Sequence, residues 1–428
     1  MQLRVLVNIK NAITIVNLFI FVLLTLTCVL SYEFILYNYY YSNLNILNNI
    51  NLFGLSLFVT GVWVGLIILF ISDVRTFFFK FFSLIFFFFF LILIYFFITE
   101  TNYIMIFIYY ELFLLPSFYL VYWVSPNRRS IVASIYFLTW TQTGSLCLLI
   151  VIIYIYLTTN STDLINLVNN QPIWINVLFF LGIGVKVPIW PLYYWLTKTH
   201  VEASSFFSIY LSGFLVKTAI YLFVFFYNYF NTILLDSIFI IFIMMGVIDS
   251  SIKMWHQIDV KKLIAYTTVQ EMNILFLPLF WNNDSTELLV SLFIITHCLL
   301  STLLFFSVDI LIKRFHTRTV TNIQGIIQVM PIFGMCMLIT LLLFTGLPFT
   351  IKFFLEISIF NFLINMNLEL TLLIIFVANW IGLLGFSKIW FNLLFGKPNN
   401  QLVYDLTVRE FIIYFISFII LIFINYFI

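Results

Sequence analysis

The chain has 428 residues, 64% of them hydrophobic and only 8% charged, with a formal net charge of +2 and a mean hydropathy of +1.14. Soluble domains carry about 25% charged residues, so this composition excludes a water-soluble fold and leaves length for a dozen or more spanning helices of about 20 residues each. The small net charge, with no dense basic cluster, argues against nucleic acid as a partner.

The first residues, MQLRVLVNIKNAITIVNLF, run straight into an apolar helix. They lack the Arg- and Ser-rich amphipathic stretch of a transit peptide and a small-residue cleavage site. Apolar runs of spanning length follow at 11–31, 52–72, 81–98, 103–124, 131–157, 174–198, 203–228, 232–252, 263–281, 288–312, 327–366, 371–394 and 408–428. This predicts an all-α polytopic membrane protein of about thirteen transmembrane helices, with one transmembrane domain over 1–428. Phe (55) and Tyr (24) are abundant while Gly (14) and Pro (9) are scarce. Those frequencies suit an AT-rich genome, such as an organelle's.

The run 327–366 has room for two spans, and the basic residues decide between one and two. With thirteen crossings, fifteen of the nineteen Lys and Arg fall on the N-terminal side, among them Arg4, Lys10, Arg128, Arg129, Arg318 and Arg409. The other four, Lys186, Lys217, Lys352 and Lys388, lie within spans, and the opposite side receives none. Splitting 327–366 would throw Lys397 and Arg409 to the wrong side. The positive-inside rule therefore favours one broken helix, with the N-terminus in the matrix or cytoplasm and the C-terminus on the opposite face.

Two spans are interrupted. One breaks at Val187-Pro188 to Pro191, just after Lys186, and the other at Gly346 to Pro348, just before Lys352 and Glu356. Proline removes a backbone donor and clashes with the preceding turn. In a bilayer such a break is tolerated where the freed groups line a protein cavity or water. Breaks at corresponding positions mark inverted-repeat transporters. The halves are expected at 81–228 and 232–394, followed by a C-terminal helix at 408–428.

Ionisable residues more than two turns from a span end are Glu111, Lys186, Lys217, Glu271, His297 and Glu356, with Lys352 one turn from Glu356. Asp309 and Lys388 lie near span ends, where snorkelling to the interface is the expectation. Taken singly, each central group suits a structural ion pair. Six at mid-depth on six segments exceed what packing needs, and a series of acids, amines and imidazoles is what a proton relay requires. Burial loosens a lysine's hold on its proton and a nearby carboxylate restores it. Movement of Glu111 relative to Lys186 would then switch the lysine between holding and releasing. Histidine is a natural intermediary between such groups. Lys352 and Glu356, four apart on one helical face, also suit a local ion pair. His316, in the basic loop RFHTRTV, is expected to be solvated.

The cysteines, Cys28, Cys147, Cys298 and Cys336, all fall in apolar runs and none forms a CxxC. They suit small buried hydrophobes. No iron–sulfur or zinc ligand set and no Gly-rich nucleotide fingerprint is present, so redox chemistry is expected in other proteins.

Several stretches carry a family resemblance. VKVPIWPLYYWLTKTHVEA at 185–203 is similar to the pattern VKxPxxxxHxWLPxAHVEAP. Supporting stretches are YYELFLLPS around Glu111, DVKKLIAYTTVQEMN at 259–273, THCLLSTLLFF followed by RFHTRT, and GLPFTIKFFLEISIF around Glu356. In order and content, over roughly 100–360, they resemble the chain 4 family of the proton-pumping NADH–quinone oxidoreductase, respiratory complex I. Its members are antiporter-like and related to Mrp antiporters.

The resemblance implies a control pair at Glu111 and Lys186, a central relay through Lys217 and His297, and a terminal group at Glu356. Glu271, Lys352 and His316 are further candidates. It implies two discontinuous helices and no redox centre or bound metal in this chain. NADH, FMN, iron–sulfur clusters and quinone are expected in partner subunits, and other antiporter-like membrane-arm chains and lipids as neighbours. The implied location is the mitochondrial inner membrane, where the distribution of basic residues puts the N-terminus in the matrix and the C-terminus in the intermembrane space.

The chain departs from the family pattern at Ser204, where the pattern has proline, and at Thr197, also proline there. Glu271 stands at a histidine site, FLE replaces LGE before the terminal acid, and Lys352 is additional. The pattern implies fourteen helices against thirteen predicted, the shortfall falling before Glu111. A cation/proton antiporter subunit of the Mrp type would share the same charges, and a scaffold would keep them only as packing pairs.

Overall fold

The computed structural model describes residues 52–71, 77–124, 128–160, 162, 172–227, 233–281, 284–398 and 403–425. The span predicted at 11–31 and Cys28 lie outside the described residues. Among the described residues the fold is all helical, with an isolated antiparallel bridge between Asp259 and Thr319.

The helices are α1 (Leu52–Ile71), α2 (Phe77–Thr99), α3 (Tyr103–Leu112), α4 (Leu114–Val124), α5 (Arg128–Thr159), α6 (Ile173–Lys186), α7 (Tyr194–Glu202) and α8 (Ser205–Tyr210). A π-helical turn, Leu211–Leu215, joins α8 to α9 (Val216–Tyr227). Then come α10 (Ile233–Trp255), α11 (Val260–Phe276), α12 (Asp284–Phe315), α13 (Pro331–Phe344), α14 (Ile351–Asn365), α15 (Glu369–Phe395) and α16 (Val408–Asn425). Seven helical stretches among the described residues are long and apolar enough to cross a membrane.

Burial sorts these helices into an inner and an outer set. The stretches over Val260–Phe280, Ser205–Tyr227 and Thr286–Phe315 are almost wholly enclosed, while α5 and α15 turn most of their surface outward. The outward residues are large and apolar, for example Phe88, Tyr95, Ile135, Leu146, Leu373 and Trp380. A helix apolar on every side is either central or lipid-facing, and both kinds occur here. The central helices carry the polar side chains: Lys217 on α9, Glu271 on α11 and His297 on α12 are all buried.

Two glycines shape this centre for different reasons. A Cβ at Gly213 would stand 2.5 Å from Val64 Cγ2 and 3.1 Å from Thr302 Cγ2, so glycine lets the π-helical turn press between α1 and α12. Gly346, following α13, has φ +67°, a left-handed conformation that costs other residues about 1–2 kcal/mol.

Candidate proton-translocation site

The first charged cluster joins α3 to α6. The Asn102 side chain caps α3 by accepting from the Ile104 amide at 3.0 Å, and Glu111 lies in the last turn. Lys186 ends α6, where exposed backbone carbonyls favour a cation. Its Nζ donates to Glu111 Oε1 at 3.2 Å and sits 3.3 Å from the Tyr110 ring centroid. The lysine is 1% exposed and the Glu111 side chain 22%. Glu111 borders a cleft of about 440 Å³ whose lining includes Thr141, Gln142 and Ser145 of α5. Beyond Lys186 the chain leaves helical geometry. Two carbonyls on either side of this break find side-chain donors: Trp195 Nε1 reaches Val185 O at 2.8 Å, and Asn273 Nδ2 reaches Pro188 O at 3.2 Å.

The second cluster is longer. The π-helical turn carries one extra residue per turn, a geometry often found at functional sites, and the Ser212 carbonyl there accepts from Lys217 Nζ. The same Nζ lies 2.8 Å from His297 Nδ1. An ammonium donating to Nδ1 fixes the ring proton on Nε2, and Nε2 faces Glu271 Oε2 at 3.7 Å. The other Glu271 oxygen accepts from Lys352 Nζ, which also donates to Phe344 O at 2.6 Å and lies 3.8 Å from Glu356 Oε1. Five ionisable groups from four helices thus form a line: Lys217, His297, Glu271, Lys352, Glu356. Two carboxylates balance two ammonium groups about a neutral imidazole, which offsets the cost of charges in so apolar a bundle.

The structure therefore brings Glu111 to Lys186, and Lys217 to His297, Glu271, Lys352 and Glu356, as two separate clusters. His316 joins neither: it is exposed at the end of α12 with φ +55°. Lys388 is exposed on α15 with its Nζ 5.0 Å from the Trp255 ring. Asp309 departs from the snorkelling expectation. It is buried, accepts from Ser205 Oγ, and pairs with Lys313 Nζ at 2.7 Å, because the 203–205 turn covers it. Cys298 and Cys336 are buried and unbridged, and Cys147 is half-buried. Among the described residues, no group of three His, Cys, Asp or Glu side chains is gathered as a metal site requires.

Three features lay beyond the sequence reading. His200, in the last turn of α7, is fully buried with its ring stacked on Phe305 at 4.8 Å, and neither ring nitrogen has a hydrogen-bond partner among the described residues. Lys261 is buried and donates to Ala203 O, although a Lys-Lys pair opening a helix reads as a solvated end. Tyr193, Asp249 and Lys253 form a network, Lys253 Nζ lying 2.7 Å from Asp249 Oδ2. The one signal for His200 was its place in the HVEA stretch.

These elements define an integral, multi-pass, all-helical membrane protein with acids and amines lined up inside the bundle. A family model described as NADH:quinone oxidoreductase/Mrp antiporter, TM, matches residues 100–382. A relative from Paramecium tetraurelia named NADH-ubiquinone oxidoreductase chain 4 is 38% identical over 403 residues, covering 91% of this chain and 84% of that one. A chain 4 from Chondrus crispus is 31% identical over 278 residues, covering 63% of this chain and 56% of its own length. A solved structure of respiratory complex I from Thermus thermophilus with bound NADH contains a chain that superposes with a TM-score of 0.77. Its identity is 18%, with 94% of this chain and 90% of that one covered, which establishes a shared fold. The chain belongs to the NADH-ubiquinone oxidoreductase chain 4 family of antiporter-type membrane proteins.

Proposed function

We propose that this chain is the proton-translocating, antiporter-like chain 4 subunit of respiratory complex I. It moves protons through its buried acids, amines and imidazole, driven by redox chemistry in other subunits. NADH, FMN, iron–sulfur clusters and quinone belong to those subunits, and neighbouring antiporter-like chains and lipids surround this one. The setting is the mitochondrial inner membrane, with the N-terminus in the matrix and the C-terminus in the intermembrane space.

One observation carries this reading: the line from Lys217 through His297, Glu271 and Lys352 is buried among apolar helices and ends at the partly buried Glu356. Proton transfer along it needs only short steps. Nδ1 of His297 takes a proton from Lys217 while Nε2 gives one to Glu271, so the ring ends neutral in its other tautomer. In this reading α6 with α7, and α13 with α14, are two discontinuous spans among thirteen crossings, and 81–228 and 232–394 are inverted halves. Glu111 holds or releases the proton of Lys186, and water bridges Lys186 to Lys217.

The test is proton pumping by the assembled complex in proteoliposomes, read beside NADH oxidation. Glu111→Gln and Lys217→Ala are each expected to lower pumping on the order of 100-fold, since a positioned proton-transfer group contributes about 10²–10⁴-fold. Unchanged pumping and turnover in either variant overturns the relay. An Mrp-type antiporter subunit is the second reading, since the matching family model spans both groups. Co-purification with a flavin- and iron–sulfur-containing assembly decides for complex I.

A further inference from the structure

We propose that Glu271 and Lys352 form a second acid–amine switch, the counterpart in 232–394 of Glu111 with Lys186, gating proton passage between His297 and Glu356. This rests on the relay reading above and adds to it a control point in the far half.

The correspondence is positional. The acid of each pair lies on the second predicted span of its half, 103–124 for Glu111 and 263–281 for Glu271. The lysine of each lies on the fourth, which is interrupted. In both pairs the lysine is tied to the carbonyl end of a half-length helix. Lys186 is the last residue of α6, and Lys352 Nζ bonds the carbonyl of Phe344, the last residue of α13, at 2.6 Å. A helix C-terminus carries roughly half a negative charge and favours a cation. Both amines lie against an aromatic ring as well, Lys186 over Tyr110 at 3.3 Å and Lys352 over Phe344 at 3.8 Å.

The contacts of the second pair give it two arrangements. Lys352 has two carboxylates within reach, Glu271 in direct contact and Glu356 with Oε1 3.8 Å away. Glu271 has two basic partners, Lys352 and the His297 ring at 3.7 Å. With the amine on Glu271, that carboxylate is neutralised and has little attraction for a proton from His297. With the amine swung to Glu356, Glu271 is free to take the imidazole proton. While the amine is on Glu356, the Lys352 N–H bond breaks as the Glu356 O–H bond forms. The neutral amine then returns and takes the proton that Glu271 received from His297. One proton has entered at His297 and one has reached Glu356, with the charges of the pair restored.

A static ion pair has the same geometry, so the test must separate the two. Lys352→Arg keeps the positive charge and the pairing, but a guanidinium does not release its proton in proteins. The measurement is protons pumped per NADH oxidised by the assembled complex in proteoliposomes, with assembly followed on native gels. For Lys352→Arg and for Glu271→Gln, assembly with a proton-to-NADH ratio lowered as far as in Glu111→Gln is the expected result. The Glu271→Gln, Lys352→Met double variant is expected to lose no more than the worse single one, as coupled residues do. An unchanged ratio in Lys352→Arg overturns the proposal. So does failure of both Lys352→Arg and Glu271→Gln to assemble, which makes the pair a packing element. A normal ratio in Glu111→Gln instead overturns the relay reading, and this proposal with it.

Discussion

Lys217 and His297 stand 80 positions apart on α9 and α12, yet Nζ lies 2.8 Å from Nδ1 in the middle of an apolar bundle. The contact gives the imidazole a direction, since its free nitrogen Nε2 is turned to Glu271. His297→Asn keeps a polar group beside Lys217 but removes the second nitrogen. Pumping by the assembled complex is expected to fall on the order of 100-fold, measured by dye quenching in proteoliposomes at matched NADH oxidation.

The Glu111–Lys186 pair predicts an asymmetry. Lys186 is 1% exposed, whereas Glu111 keeps 22% of its side-chain surface and borders a cleft. Glu111→Ala strands a fully buried ammonium and is expected to destabilise by about 3–5 kcal/mol. Lys186→Met strands a carboxylate that reaches the cleft, and is expected to cost less. Thermal inactivation of the purified complex orders the two variants.

Gly213 tests the close approach of α1 and α12 to the π-helical turn. Gly213→Ala pushes only against side-chain ends on Val64 and Thr302, whereas Gly213→Val adds two methyl groups in the same space. Overpacking costs about 1–3 kcal/mol. The alanine variant is expected at the lower bound with pumping retained, and the valine variant with reduced assembly on native gels.

At Gly346 space is not limiting: the nearest atom to a built Cβ is Glu356 Oε2 at 3.6 Å. The positive φ alone makes Gly346→Ala unfavourable, by about 1–2 kcal/mol. Gly346→Asn is expected to cost less, because asparagine tolerates the left-handed region. Comparing the thermal inactivation of the two variants checks the assignment.

Arg318 ties the end of α7 to the start of α11. Its Nε lies 2.7 Å from Asp259 Oδ2, its Nη2 lies 3.6 Å from Glu202 Oε1, and its Nη1 donates to Val201 O. Asp259 in turn caps α11 by accepting from the Lys261 and Lys262 amides at 3.0 and 3.4 Å. An ammonium cannot serve three directions from one plane. Arg318→Lys is expected to behave as Arg318→Ala, losing about 1 kcal/mol in low salt and less in high salt, read from proteolysis of this turn.

The sequence by itself determined the class of protein and most of its candidate chemistry. Eight percent charged residues and runs of about 20 apolar ones leave only a polytopic helical membrane protein. The high cost of burying Glu111, Lys186, Lys217, His297 or Glu356 made each stand out. Tertiary structure decided which of these groups meet. Helices apolar on every side carry no stripe to say which face turns inward, so the contact of Glu271 with Lys352 was not legible, and that of Lys217 with His297 was implied by the family resemblance alone. His200 was hidden for a different reason. A histidine next to a loop reads as solvated until Phe305, about a hundred residues later, is packed across its ring. Residue type is local and sets the cost of burial. The pairing that offsets it depends on how helices distant in sequence cross, which only the packed bundle fixes.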